Sequence, residues 1–180
     1  MQAVASSDPI KAFNERAKAS GWTLTCGPAA NFKNPALTGA LALWQAKAEG
    51  RAMPSREDLT ARVMKPYMAQ MSLLERIGAG SAARYRVRLH GTALASYGGD
   101  KTGRFLEEVI PQHLLGSYTG VYDTVLELLN PLRLVSYFQV PEVDYLSGES
   151  LVAPLAGPTG AAPLILSITY VEPRTIAPDR

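Results

Sequence analysis

Over residues 84–89 the chain alternates strictly, Arg84, Arg86 and Arg88 against Tyr85, Val87 and Leu89. A period of two makes this a strand with one buried face. Gly91 breaks the alternation, Thr92 caps a short helix, and the Gly98-Gly99-Asp100 turn leads to a second helix opening at Thr102-Gly103. A strand feeding two very short helices through glycine turns leaves few folds open. It suits helices wrapped over an antiparallel sheet around a small cavity, the build of a sensing or docking module.

The rest of the chain sets the outer limits. At 180 residues it is long enough to bury a real core. A formal net charge of +2 does not provide the concentrated basic face that nucleic-acid binding needs. The single cysteine, Cys26, forms no intramolecular disulfide and fits a reducing compartment. No apolar run reaches the roughly 18 residues of a membrane span. The first residues lack the basic-then-apolar order of a signal peptide. The expected location is cytoplasmic.

Element by element, Asp8-Pro9 opens a helix over 8–19, and Gly27-Pro28 breaks the chain after it. A second helix over 35–49 places Leu37, Leu41, Trp44 and Ala48 on one face, an apolar face free to pack on a second subunit. Ser55 and Asp58 form a loose capping box for a helix over 59–64. Residues 72–77 and 83–89 then flank Gly78-Ala79-Gly80-Ser81 as a hairpin. The longest helix follows Pro111 and ends at Asn130-Pro131, and strands are expected over 132–140, 150–154 and 164–171. Gly157-Pro158-Thr159-Gly160 turns between the last two.

That order carries a resemblance. Trp44 leading into Pro54-Ser55-Arg56, then Arg88-Leu89-His90-Gly91-Thr92, then Gly99-Asp100-Lys101-Thr102-Gly103-Arg104, and finally Glu149 to Leu155 resemble, in sequence, motifs of an alphaproteobacterial PAS-like family. The chain departs from that pattern at Thr60-Ala61, where the family commonly carries Asp-Pro. The resemblance implies an α+β domain: a PAS-like five-stranded antiparallel sheet with short helices and one long helix on one face, plus an N-terminal helical extension. The expected division is 1–68 for the extension, 69–172 for the PAS-like domain and 173–180 for a tail.

Catalytic and cofactor readings find little support in the residues. Ser96, Ser117 and Ser136 lack a glycine elbow, and neither histidine has an evident acid partner. Gly98 to Gly103 shares only composition with a phosphate loop, which needs its lysine after the glycine and directly before the helix hydroxyl, following a buried strand; here the glycines supply positive φ angles at a turn. Arg84 and Arg88 match half of a cyclic-dinucleotide motif whose other half is missing; an exposed sheet face with Glu75 as cross-strand partner accounts for them. Two histidines and one distant cysteine make no tetrahedral zinc site. His113 stands where haem-binding PAS domains carry an axial ligand, but beside a proline at a helix start it reads as a surface residue. Light-sensing relatives place a cysteine directly before an Arg-Phe-Leu segment; here Gly103 precedes Arg104-Phe105-Leu106, which disfavours a flavin adduct. The expectation is no cofactor and no metal.

Aromatic residues remain. In the fold implied by the resemblance, Tyr85, Tyr97, Tyr118, Tyr122 and Tyr137 fall on the elements around the internal cavity, with Val87, Leu89 and Phe105 beside them. Tyrosines supply apolar area and a hydroxyl that must find a partner, which suits a small ligand of mixed polarity. A filled core is the competing reading. The functional expectation is a non-enzymatic sensory and protein-interaction module of bacterial signalling, homodimeric or bound to another pathway protein, without nucleic acid or membrane insertion. The alternative is a small-molecule-binding protein or a small α+β cone enzyme using the tyrosine-lined cavity.

Overall fold

Two polar caps set the start of the N-terminal helices in the computed structural model, which describes residues 8–140, 143–158 and 161–173. Asp8 Oδ1 accepts the Ile10 N–H at 3.0 Å and Asn34 Oδ1 accepts the Ala36 N–H at 2.9 Å, each followed by a proline whose missing N–H costs nothing in a first turn. They open α1 (Pro9–Ala19) and, after β1 (Leu24–Pro28), α2 (Pro35–Ala48). Then come α3 (Ala61–Met64), β2 (Met71–Ile77), β3 (Arg84–His90), α4 (Thr92–Gly98), α5 (Leu106–Val109) and α6 (Gln112–Leu128). The chain finishes with β4 (Leu132–Val140), β5 (Val143–Leu155) and β6 (Leu164–Pro173). Thr159 and Gly160 of the expected turn, and residues 174–180 of the expected tail, lie outside the described residues.

All the strands pair antiparallel in the order β1-β4-β5-β6-β2-β3. Five of them are the strands read from the sequence. The sixth, β1, comes from the N-terminal stretch and aligns Leu24 with Ser136 and Cys26 with Leu134. Residues 151–155 and 164–168 are buried without a break, the mark of central strands covered on both faces. One face packs Leu74, Val152 and Ile165 under Phe13 of α1, Leu106 of α5 and Val121 and Val125 of α6. The other packs Leu73, Leu151, Leu155 and Leu166 under Leu37 and Trp44 of α2 and Met64 of α3. The N-terminal helices thus divide between the two faces.

Two details depart from the strict pattern. The β2–β3 ladder pairs Leu73 with Leu89 but Leu74 with Val87, so Arg88 is an extra, bulged residue. Tyr85 and Val87 therefore face α6, whereas Leu89 turns to the α2 side and packs with the cluster there. The second short helix begins at Leu106, not at Thr102-Gly103. Residues 103–105 instead run along β3, the Gly103 N–H donating to Val87 O at 2.7 Å and the Val87 N–H to Arg104 O at 2.9 Å. Gly99 and Gly103 supply φ of +79° and +84° at this turn, and Asp100 Oδ1 holds it by accepting the Thr102 N–H and hydroxyl.

Both edge strands carry a local cap. On β1 the Asn14 carboxamide accepts the Cys26 N–H at 2.9 Å and donates to Cys26 O at 2.8 Å, imitating a neighbouring strand, and Pro28 removes one further donor. The 103–105 segment covers the β3 edge. The arginine row is paired as the sequence indicated. Arg86 and Arg88 share Glu75 at 2.8 and 3.2 Å, while Arg84 pairs with Glu107 and lies 3.7 Å over the Phe105 ring.

Gly91 of the Arg-Leu-His-Gly-Thr motif has an unremarkable φ of −66°, so its requirement is spatial. A Cβ there would meet the Ala69 carbonyl oxygen and stand 2.5 Å from that of Met68. Gly91→Ala is expected to destabilise the fold by about 1–3 kcal/mol through overpacking, read as a lower urea midpoint at unchanged slope.

Candidate functional site

The phenol of Tyr85 is anchored at the buried end of β3. It is 1% exposed, and its hydroxyl donates to Asp123 Oδ1 at 2.6 Å; Arg76 stands 3.8 Å from the same carboxylate oxygen. Burial first, then Asp123, pushes this phenol far above its ordinary pKa, so it stays protonated as a donor. The Tyr122 ring lies tilted against it, centroids 5.3 Å apart, and Tyr118 packs half-buried against the same cluster. Burial raises both phenols. Val87 joins this wall; Phe105 stands at the β3 edge, bridged to Arg86 and stacked under the Arg84 guanidinium. The other three sequence candidates lie apart: Leu89 on the opposite sheet face, Tyr97 60% exposed on α4, and Tyr137 41% exposed on β4.

Beside the wall runs a row of hydroxyls that the sequence reading passed over. Strand parity places Ser136 after Leu134, Ser150 before Val152, Ser167 after Ile165 and Ser72 before Leu74, all on the α6 face. Ser167 pairs across to Ser72 and Ser72 to His90, and Ser150 Oγ lies 2.8 Å from Thr169 Oγ1. Ser136, Ser150 and Ser167 are buried. At the end of the row His90 Nδ1 meets Ser72 Oγ at 3.0 Å, while Nε2 is buried without a partner. Burial, then Lys101, holds the imidazole below its ordinary pKa, so it is neutral at pH 7.

Serine beside histidine invites a catalytic reading, but no carboxylate orients this pair, since neither Nδ1 nor Nε2 meets one among the described residues. Burial, then Asp8, pushes the Cys26 thiol up to about 11, which removes its nucleophilicity at neutral pH. Among the described residues no three His, Cys, Asp or Glu side chains gather to hold a metal. His113 is exposed on the first turn of α6. No described helix is long and apolar enough to cross a membrane.

Two of the four sequence motifs, Trp44 to Arg56 and Glu149 to Leu155, meet at a different place, the seam between α2 and β5. Trp44 Nε1 donates to Pro154 O at 2.9 Å. The Pro54-Ser55-Arg56 turn pairs with the end of β5, the Ala156 N–H donating to Pro54 O and the Arg56 N–H to Ala156 O. Glu149 accepts the N–H groups of Lys33 and Asn34 at 3.0 and 2.8 Å and Arg133 Nε–H at 2.6 Å, which ties the start of α2 to β4 and β5. The face of α2 expected to meet a second subunit is therefore spent on this chain's own sheet: Leu37, Trp44 and Ala48 are buried there. What α2 turns outward is Thr38, Gly39, Ala42, Gln45 and Ala46, all exposed and uncharged.

Glu149 also gives the fold a pH dependence. Burial alone would raise its pKa, but the Lys33 and Asn34 amides and the Arg133 guanidinium outweigh it and hold the carboxyl below its ordinary value. A depressed folded pKa means stability that is present above pH 4.5, the ordinary value, and lost as pH falls through the folded one. Glu149→Gln is expected to lower stability at pH 7 and to flatten the decline below pH 4.5, measured as urea midpoint against pH.

Beside α2 the surface sinks into a groove of about 320 Å³ where α1, the end of β1, α2 and the α6–β4 turn meet, lined by Ile10, Leu41, Gln45, Leu128 and Pro131 among others. The model of a family described as PAS domain matches residues 32–169. The match begins just before α2 and ends within β6, so it spans the seam, the wall and the hydroxyl row. No curated protein matches the chain.

Proposed function

The chain belongs to the PAS domain family, and from that membership we propose that it is a non-enzymatic sensory and protein-interaction module of bacterial signal transduction. Domains of this family are in general sensory modules without catalysis of their own, and they work through protein contact. The sensing element in this reading is the α6 face of the sheet. Tyr85, Tyr118 and Tyr122 provide apolar walls, and the row from His90 through Ser72, Ser167 and Ser150 provides donors and acceptors for a small ligand of mixed polarity. The observation that supports this most is the buried, unpartnered His90 Nε2 at the end of the hydroxyl row. The free thiol of Cys26 fits a cytoplasmic setting.

Contact, in the same reading, uses helical surface. The edge strands β1 and β3 carry caps and the outer face of β5 is covered by α2, which leaves helical surface as the favoured ground for a partner.

Native mass spectrometry of the freshly purified chain, set against its denatured mass, tests the sensing half. The expected result is a small added mass that is present in the native spectrum and absent after denaturation. Re-adding the released molecule at about 100 times its Kd should stabilise the fold by about 2.7 kcal/mol, and His90→Leu should abolish that gain. Equal native and denatured masses, with no thermal shift across a metabolite panel, would overturn it.

A further inference from the structure

The Arg88 bulge decides where His90 points. Unbroken alternation over 84–89 would keep Leu89 beside Tyr85 and Val87 and turn His90 to the α2 side. With Arg88 extra, Leu89 pairs with Leu73 and His90 with Ser72, so the imidazole joins Tyr85 and Val87 on the α6 face. There the residue is held at two points. Nδ1 meets Ser72 Oγ at 3.0 Å, and the backbone N–H of His90 donates to Thr102 Oγ1 at 3.1 Å. With the Ser72 hydroxyl donating to Nδ1, the proton of the neutral ring sits on Nε2, and this buried N–H has no acceptor among the described residues. Ser136 and Ser167 keep 7% and 8% exposure on the same face, whereas their apolar neighbours Val152 and Ile165 keep none. What room the face retains lies over its hydroxyls.

The turn after α4 brings a cation to this group. Asp100 Oδ1 accepts the Thr102 N–H and the Thr102 hydroxyl at 2.9 and 2.7 Å, so the carboxylate of the turn is taken up within it. Lys101 is left partly buried, its stem folded back over Gly98, where a Cβ would stand 3.8 Å from Nζ. Its ammonium makes no hydrogen bond or ion pair among the described residues, whereas Arg84, Arg86, Arg88 and Arg104 are all paired. Covering a cation without a counter-charge is unfavourable. After burial, Lys101 is the strongest influence on the imidazole, so the two groups are neighbours. One cation and one N–H donor match the two oxygens of a monoanionic carboxylate. The further oxygens and second charge of a phosphate find no counterpart and would face Asp100.

We infer that His90 and Lys101 form a binding site for the carboxylate of a small monoanionic ligand, with Val87 and Tyr85 as the wall along its apolar part. The inference rests on the sensory reading and gives its ligand a charge. Acetate, the smallest probe of the class, tests it on the full chain, unfolded and refolded first to release any retained molecule. The readout is the nitrogen-15 resonances of the His90 ring at neutral pH and constant ionic strength. Acetate is expected to shift them saturably. Acetamide, the same shape without the charge, and inorganic phosphate should leave them in place. Lys101→Met keeps the stem and removes the charge; it should weaken acetate by about tenfold or more. The variant should melt no lower than the wild type, because the ammonium supports no contact within the fold. No saturable shift, an equal response to acetamide, or an acetate response that Lys101→Met leaves intact overturns the inference. A stronger response to phosphate also overturns it and assigns the pair to a phosphate ligand. A chain that retains a molecule in the native spectrum yet ignores acetate loses this site and keeps the sensory reading.

Discussion

Phe13→Ala is expected to destabilise the chain by about 3–5 kcal/mol, the range for emptying a large buried aromatic site. Phe13 is 1% exposed, lies 6.1 Å from the Trp22 ring, and carries the Arg16 guanidinium over its face. Opposite it stands Gly120 of α6, where a Cβ would come 3.1 Å from the Phe13 ring. The two helices are close because glycine permits it, so little can collapse into the space left by the ring. Phe13 precedes residues 32–169, the matched part of the chain. The size of the loss therefore measures whether α1 and β1 belong to the same cooperative core. At about 2–4 °C per kcal/mol for a chain of this length, the melting temperature should fall by about 6–20 °C. A fall of a degree or two would mean that α1 opens on its own.

Trp44→Ala is the companion result on the other sheet face, again about 3–5 kcal/mol. Trp44 is 6% exposed beneath the seam, and its indole N–H is the donor to the buried Pro154 carbonyl. Trp44→Phe separates the two contributions. It keeps most of the ring area but leaves Pro154 O unpaired, and should cost about 1–3 kcal/mol. If Trp44→Phe costs as much as Trp44→Ala, the hydrogen bond rather than the packing holds α2 in place.

Much of this architecture was legible because period and punctuation agree. The 132–140 strand was bounded by Asn130-Pro131, α2 by Pro35 and Gly50, and the order of motifs led to the family. The failures have physical reasons. Residues 24–28 alternate for too few positions to register as a strand, and β1 exists because β4 and Asn14 pair with it. Strict alternation over 84–89 cannot reveal the bulge at Arg88, which is set by the partner strand and sends Leu89 to the other face. Tyr97 and Tyr137 drew attention as aromatics, but parity decides the facing of a strand. Leu132, Leu134 and Ser136 point inward, so Tyr137 points out. The same parity, followed from Leu134, Val152 and Ile165, would have found the hydroxyl row. The outward character of α2 could not be read from its sequence, because the helix is apolar on more than one side and only the sheet beneath selects which side is buried.

Native-state hydrogen exchange of α2 tests most directly the claim that the helix is a fixed cover over β5 and that the module meets partners through helical surface. If α2 is a fixed cover, its amides over residues 40–48 should exchange through the same global opening as those of 151–155 and 164–168, with one free energy and one denaturant dependence. Exchange of α2 through a separate opening, several kcal/mol below that of the sheet, would contradict the account: the helix would then lift away, and the bare outer face of the sheet would be the surface that partners meet.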